Sequence, residues 1–368
     1  MMRRKIIAYF ISAFVILMMI ALLVLPKKDF SAEENRYLQD FPTFTIDNLF
    51  QGSFTSKLEK YVADHFPFRL KYLMLKTYNE ILIGKSENNG VYLADDNYLI
   101  EKFDNFNNQR LKHLKELFNN FFDKYNYIDF TTMIIPNSIA INQELLPPFA
   151  TYSDQNFLLE YFYHELNSTN INMIEFLSEA NKENAMYYRL DHHWTSDAAM
   201  IAYQEYLNVK GISNETQYHK TLVSDDFVGS MSSRANVYFY PSDQIYRWDY
   251  SGEFRITYNN DKTVTSFYED SYLKLKDKYS YFLNANQPLV SIDNLNNDSG
   301  DNLLIIKDSY ANCFIPLIAN DYDKVVVVDL RYYNLDLKNL IIDQQITEGL
   351  IMYNLSGLLS DLSINNLE

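Results

Sequence analysis

The chain has 368 residues, of which 47% are hydrophobic and 22% charged, with 9 Gly, 9 Pro and a single Cys. Such a composition excludes a disordered or collagen-like chain, and one cysteine excludes an internal disulfide, so Cys313 reads as a small buried apolar residue. The net charge of -16, from 48 acidic against 32 basic residues, argues against electrostatic binding of nucleic acid or anionic lipid.

The first predicted element is an uncharged run from Ile6 to Leu25. As a helix rising about 1.5 Å per residue it spans roughly 30 Å, the thickness of a bilayer core. Arg3, Arg4 and Lys5 precede it, which favours a cytoplasmic N-terminus and an extracytoplasmic remainder, a single-pass protein of the cell membrane. A cleaved signal peptide is the rival, but its apolar region is shorter, about 7–15 residues, and Leu23-Val24-Leu25-Pro26-Lys27 offers no small-residue cleavage site. A polar and aromatic stretch follows, then helical periodicity over 56–66 and 68–82, and a hairpin around Asp95-Asp96-Asn97. Leu111, Leu114, Leu117, Phe118 and Phe121 place one apolar face on a helix over 109–124.

Short apolar runs at 130–135, 303–306, 325–330 and 350–353, each near a helical segment, predict an α/β fold with a doubly wound parallel sheet. Residues 218–300 are rich in Tyr, Ser and Asn and alternate in the strand manner, as a β-rich insertion with a hairpin turning at Asn259-Asn260-Asp261. The expected organisation is therefore a tail and anchor over 1–25, a stalk over 26–55, an α/β domain over 56–217 and 301–368, and the insertion over 218–300. The 31 Tyr and 25 Phe supply aromatic surface suited to stacking on sugars as well as to packing a core.

Two places can carry chemistry. Tyr188-Arg189-Leu190-Asp191-His192-His193-Trp194-Thr195 reads as an extended approach to a helix from Ser196. In an extended segment Asp191 and His193 share a face, while His192 points to the other side. A carboxylate accepting an imidazole N–H is the base half of a Ser-His-Asp relay. A metal site competes for the same donors, but the 6 His include no H-x-x-x-H or H-E-x-x-H spacing. A structural His network beneath a helix cap uses them as well. The second place is Lys307-Asp308-Ser309-Tyr310-Ala311-Asn312, where a buried strand ends and a helix over 311–318 begins. Open α/β sheets bind ligands at that edge, and helix-start N–H groups suit a developing oxyanion. A plain N-cap serine is the alternative there.

These strings resemble the DHHW protein family of bacterial membrane-anchored proteins. The resemblance extends over Glu34-Asn35-Arg36-Tyr37-Leu38, Asp64-His65-Phe66-Pro67-Phe68-Arg69, Asn89-Gly90-Val91-Tyr92-Leu93, Ile135-Pro136-Asn137-Ser138, Asp191-His192-His193-Trp194-Thr195, the Ser309 string and Asp329-Leu330-Arg331-Tyr332-Tyr333. The family is in turn similar to the SGNH-hydrolase-like domains of the alginate O-acetylation proteins. That resemblance implies an SGNH-hydrolase-like fold with Asp191 as orienter, His193 as general base and Ser309 as nucleophile. It suggests Arg331, Asn137 and Tyr310 as substrate or oxyanion-region residues, with no cofactor and no metal. Lys307 stands where many SGNH enzymes carry the Gly of Gly-Asp-Ser. The implied reaction is acyl transfer, in particular of acetyl, to a cell-surface or exported polysaccharide through an acyl-Ser309 intermediate. Its partners would be that polysaccharide or a cell-wall glycan and an integral-membrane acyl-donor protein, with no nucleic acid. A carbohydrate esterase with the same triad, or a non-catalytic glycan-binding envelope scaffold, remain the alternatives.

Overall fold

A computed structural model describes residues 2–34, 36–104 and 108–367. Asn35 and the side chains of Arg3 and Arg4 lie outside the described residues. The chain divides into two units, 1–88 with 233–239 and 89–232 with 240–368.

The first unit begins with helix α1 (Met2–Val24). Its stretch Lys5–Val24, with mean hydropathy 2.8, is long and apolar enough to cross a membrane. Strands β1 (Phe30–Ser31) and β2 (Arg36–Tyr37) pair antiparallel. Helices α2 (Ile46–Phe50), α3 (Ser53–Asp64) and α4 (Arg69–Leu82) follow. Thr45 caps α2 by accepting the Asn48 N–H at 3.1 Å, the expected use of a hydroxyl at a helix start. The helix predicted over 68–82 starts at Arg69 because Phe68 sits at φ 57, a left-handed value that no helical residue holds. Arg36 ties β2 to the end of α3 with a fork of hydrogen bonds to Asp64, at 3.0 and 2.6 Å.

In the second unit, β3 (Val91–Leu93) and β4 (Leu99–Glu101) form the predicted hairpin. After α5 (Asn108–Lys124) come β5 (Asp129–Ile135), α6 (Gln155–Tyr163), β6 (Thr169–Asn170), α7 (Ile174–Ala180) and α8 (Ser196–Lys210). A second antiparallel pair, β7 (His219–Phe227) and β8 (Asp243–Asp249), leads to β9 (Phe254–Tyr258), β10 (Lys262–Val264), β11 (Leu289–Asn294) and β12 (Asn302–Lys307). The chain closes with α9 (Ile315–Ile318), β13 (Lys324–Val328), α10 (Leu337–Asp343), β14 (Glu348–Asn354) and α11 (Leu355–Ser360).

Eight of these strands make one sheet in the order β10-β9-β11-β13-β12-β14-β5-β6. The four apolar runs expected as buried parallel strands lie side by side as β13, β12, β14 and β5, all parallel. Strands expected in a separate β-rich insertion instead extend this sheet at one edge. There β11, β9 and β10 continue the sheet antiparallel. Hairpin-forming alternation in 254–264 carries no information about which sheet the strands will join, so their addition to the central sheet was not readable in advance.

Central strands are mostly apolar because both faces are covered, with Thr131, Thr132, Asn302, Lys307 and Asn354 among the buried polar exceptions. Leu303, Ile305, Val325, Val327, Leu350 and Met352 enter one core with Ala198, Ala202 and Tyr206 of α8. Their neighbours Leu304, Ile306, Val326, Val328, Ile351 and Tyr353 enter the other, with Leu114 and Phe118 of α5, Leu159 of α6, Ile341 of α10 and Leu358 of α11. Helices therefore lie on both faces, and strands β12 and β14 end at the same edge.

The helix predicted over 311–318 forms in two pieces. A 3-10 turn runs over Ser309–Cys313, and α9 begins only at Ile315. Pro316 has no N–H to bond the Asn312 carbonyl, so an α-helix tolerates it only in its first turn.

Candidate active site

The Asp191 string is a tight loop instead of the expected extended segment. Tyr187 and Trp194 form an antiparallel bridge, with the Tyr188 N–H donating to the His193 carbonyl at 3.2 Å and the Thr195 N–H to the Met186 carbonyl at 2.9 Å. Within that loop the His193 backbone N–H donates to Asp191 Oδ1 at 3.0 Å, an Asx turn. The same oxygen lies 2.5 Å from His193 Nδ1. Asp191 and His193 thus meet through a side-chain turn and not through strand alternation. For the same reason His192 does not point away: its ring packs 3.8 Å from that of His193.

Ser309 arrives from the other side of the sequence, two residues beyond the end of β12. Its Oγ is 2.8 Å from His193 Nε2. Asp191, His193 and Ser309 therefore form a continuous hydrogen-bonded line. Asp308 caps the turn that carries Ser309, accepting the Tyr310 N–H at 2.9 Å on Oδ1 and the Asn354 N–H at 2.8 Å on Oδ2. Burial pushes the Asp308 carboxyl up, against those two N–H groups.

Asp191 and His193 are buried, at 4% and 6% exposure. Burial opposes charge on Asp191, but His192, His193 and the Ser230 N–H together hold its carboxyl far below the usual carboxylate range. Ser230 bonds Asp191 Oδ2 through both its N–H, at 2.7 Å, and its hydroxyl, at 2.9 Å. The opposite face of His193 is covered by Tyr279, stacked at 3.7 Å and 10°. Burial lowers His192, whose Nδ1 lies 2.7 Å from the Ser230 hydroxyl.

The remaining predicted residues make other contacts. Tyr310 is buried and its hydroxyl donates to the His192 carbonyl, while its own carbonyl accepts the Trp194 indole N–H at 2.8 Å. Arg331 forks onto Asp329 at 2.8 and 2.6 Å, and Asp329 lies 3.5 Å from the wholly buried Lys307 ammonium. Burial brings Lys307 down to about 8, opposed by Asp329. Asn137 hydrogen-bonds Asn354, Gln155 and Ser356. Among the described contacts neither Arg331 nor Asn137 meets Ser309 or His193. Cys313 is buried as expected, and burial pushes its thiol up to about 12.

Ligand-type atoms of Asp191, His192 and His193 lie within 4.8 Å of one another, so the set has the donors of a metal site. Both His193 nitrogens, however, are taken by Asp191 and Ser309, and His192 Nδ1 by Ser230. The arrangement suits moving a proton between Ser309 Oγ and the imidazole better than coordination.

Ser230 and Tyr279 were missed in the sequence. Both lie in the aromatic, polar 218–300 region, and no spacing ties either to Asp191. Gly229 carried a weak signal: a Cβ there would come 2.3 Å from Asp191 Cβ, so only glycine lets Ser230 approach the carboxylate.

No curated protein matches the chain. Among solved structures it is similar to a DHHW family protein from Eubacterium siraeum, with 20% identity, TM-score 0.66, and 76% of this chain and 95% of that one covered. It is also similar to PatB1 of Bacillus cereus, with 21% identity, TM-score 0.63 and coverage of 74% and 98%. The same protein with a sulfonyl adduct gives 20% identity and TM-score 0.61 over 74% and 98%. At these identities the likeness is one of fold. The family model described as DHHW protein matches residues 89–328, including both Asp191-His192-His193-Trp194 and Ser309, and the chain belongs to the DHHW family.

Proposed function

We propose that the protein is a serine-dependent acyltransferase that moves an acyl group, in particular acetyl, onto a polysaccharide outside the cytoplasm. The observation that carries this reading is the unbroken Asp191–His193–Ser309 line, at 2.5 and 2.8 Å. In the first half-reaction Ser309 Oγ attacks the carbonyl carbon of an acyl donor as its proton passes to His193 Nε2. The tetrahedral intermediate then expels the donor's leaving atom, which takes the proton back from Nε2. In the second half a sugar hydroxyl gives its proton to Nε2 and attacks the acyl-Ser309 carbonyl. Ser309 leaves and recovers that proton, so each half is balanced.

Asp191 contributes by fixing Nδ1 as the donor nitrogen and by stabilising the imidazolium that forms twice per turnover. Tyr279 confines the ring to one plane. Developing oxyanion charge falls beside the start of the 3-10 turn, where the Ser309 N–H is the donor at hand, the Tyr310 and Ala311 N–H groups being held by Asp308. An SGNH-like assignment of the sheet agrees with a serine at the end of a central parallel strand. The α1 segment suits a membrane anchor with an inside N-terminus, which places the donor requirement on an acylated partner reachable from outside.

The test uses a sulfonyl fluoride, a class of probe suggested by the PatB1 structure with a sulfonyl adduct. Methanesulfonyl fluoride is expected to add one mass increment to the peptide containing Ser309, and none in Ser309→Ala. With an aryl acetate as donor, the labelled enzyme and Ser309→Ala should lose several orders of magnitude in acetyl release. Product analysis with oligosaccharide acceptors separates transfer from hydrolysis. Modification elsewhere, or unchanged release from Ser309→Ala, sinks the proposal.

A further inference from the structure

The proton relay uses one of the two histidines in the Asp191 loop, and the other stands beside it with a nitrogen unused. His192 packs its ring 3.8 Å from that of His193, at an interplanar angle of 38°. Its side chain is 34% exposed against 8% for His193, so solvent and substrate can reach it.

The hydrogen bonds of Ser230 fix which nitrogen of His192 carries the proton. The Ser230 hydroxyl has a single proton and lies 2.9 Å from Asp191 Oδ2, a carboxylate oxygen that can only accept, so it donates there. Toward His192 Nδ1, 2.7 Å away, the same hydroxyl oxygen must then accept. Neutral His192 therefore bears its proton on Nδ1 and a bare lone pair on Nε2. Burial and the neighbouring His193 favour that neutral form, against the pull of Asp191, Glu101 and Asp308. His192 Nε2 has no partner among the described residues and, unlike the Tyr188 hydroxyl, is not sealed from solvent.

Both rings turn their Nδ1 edges to one carboxylate oxygen, for Asp191 Oδ1 lies 2.5 Å from His193 Nδ1 and 3.5 Å from His192 Nδ1. Both Nε2 edges lead away from it, on neighbouring rings. In the free protein Ser309 occupies His193 Nε2, at 2.8 Å. Once Ser309 is acylated its hydroxyl proton is gone, and two bare acceptor nitrogens stand side by side. Two hydroxyls on adjacent carbons of a sugar ring supply the matching pair of donors. We infer that His192 Nε2 receives the acceptor hydroxyl next to the one that His193 deprotonates, so that the site selects vicinal diols. His192 is then a substrate-positioning residue of the second half-reaction and takes up no proton itself. This role rests on the acyl-transfer reading, whereas the tautomer and the unpartnered nitrogen do not.

The experiment acetylates the full chain in lipid nanodiscs with an aryl acetate and compares transfer to cis- and trans-cyclohexane-1,2-diol with transfer to cyclohexanol, which lacks the adjacent hydroxyl. For at least one diol, kcat/KM per hydroxyl is expected to exceed that of cyclohexanol about three- to tenfold, the worth of one hydrogen bond. His192→Phe, which keeps a ring and removes both nitrogens, should erase that preference while the burst of acetyl release that precedes transfer keeps its rate. A parent without diol preference overturns the inference. So does a preference kept in His192→Phe, or a burst slowed as much as transfer, which would make His192 a mere support of the triad. Should His192→Phe not fold, 15N spectra of the parent's histidines decide: a bare Nε2 at His192 is expected, and a proton on Nε2 overturns the assignment. A parent that forms no acetyl-Ser309 overturns the acyl-transfer reading and this inference with it, whereas acylation without diol preference overturns this inference alone.

Discussion

The Asp191 carboxylate does two jobs with four hydrogen bonds. Oδ1 takes both the backbone N–H and the ring of His193, and Oδ2 takes both donors of Ser230. Asp191→Asn keeps the size of the side chain but removes the charge that stabilises an imidazolium. The expected result is a loss of about 10³–10⁴ in the acylation rate with a retained fold, measured as single-turnover acetyl release. Gly229→Ala tests the same carboxylate by shape. With no room for a Cβ against Asp191, the variant should lose activity and unfold at a lower temperature, whereas an alanine at exposed Gly252's neighbour Ser251 should do neither. Lys307 poses the opposite problem, a cation that burial disfavours. Its value of about 8 in the fold, below the ordinary 10.5, means that the unfolded chain holds its proton more tightly. Stability contributed by this group therefore rises with pH between about 8 and 10.5, and Lys307→Met should flatten that rise in chemical unfolding curves.

At the scale of elements, two short connections decide where side chains go. Pro316 delays α9, and the 3-10 turn this leaves presents Ser309 at its first position with Asp308 as cap. In the first unit, the Arg36–Asp64 fork joins β2 to α3, and the hydrogen bond from Arg36 holds the Asp64 carboxyl down at about 2, from an ordinary 3.8. The stabilisation is thus fully present above about pH 3.8 and is lost as pH falls toward 2. Solvent screening of the partly exposed Arg36 limits it to on the order of 1 kcal/mol. Asp64→Asn should remove that acid-dependent part, read as a shallower fall of the melting temperature between pH 4 and pH 2.

At the scale of the molecule, the central strands feed two cores at once. Leu304 points into one and Ile305 into the other, each 1% exposed or less. Leu304→Ala should cost about 2–5 kcal/mol in denaturant unfolding, because a cavity in a sheet packed on both faces cannot collapse. The same burial serves the site, since strands that cannot shift hold the loops at their ends in fixed positions.

Much of this was readable in advance for physical reasons. Four continuous apolar runs could only be strands covered on both faces, and the charge-free stretch from Ile6 could only be a long apolar helix. Asp191, His193 and Ser309 were recognisable by residue type and by their place at the edges of elements. Their mutual distances were not, because His193 and Ser309 lie 116 residues apart and an extended loop would have sent His192 the other way. Ser230 and Tyr279 had no local pattern at all. Local sequence determined which segments are strands, helices and caps, since backbone propensity and apolar period act over a few residues. Tertiary structure alone decided which sheet β9 to β11 join and which side chains surround the imidazole, since those depend on packing between segments distant in the chain.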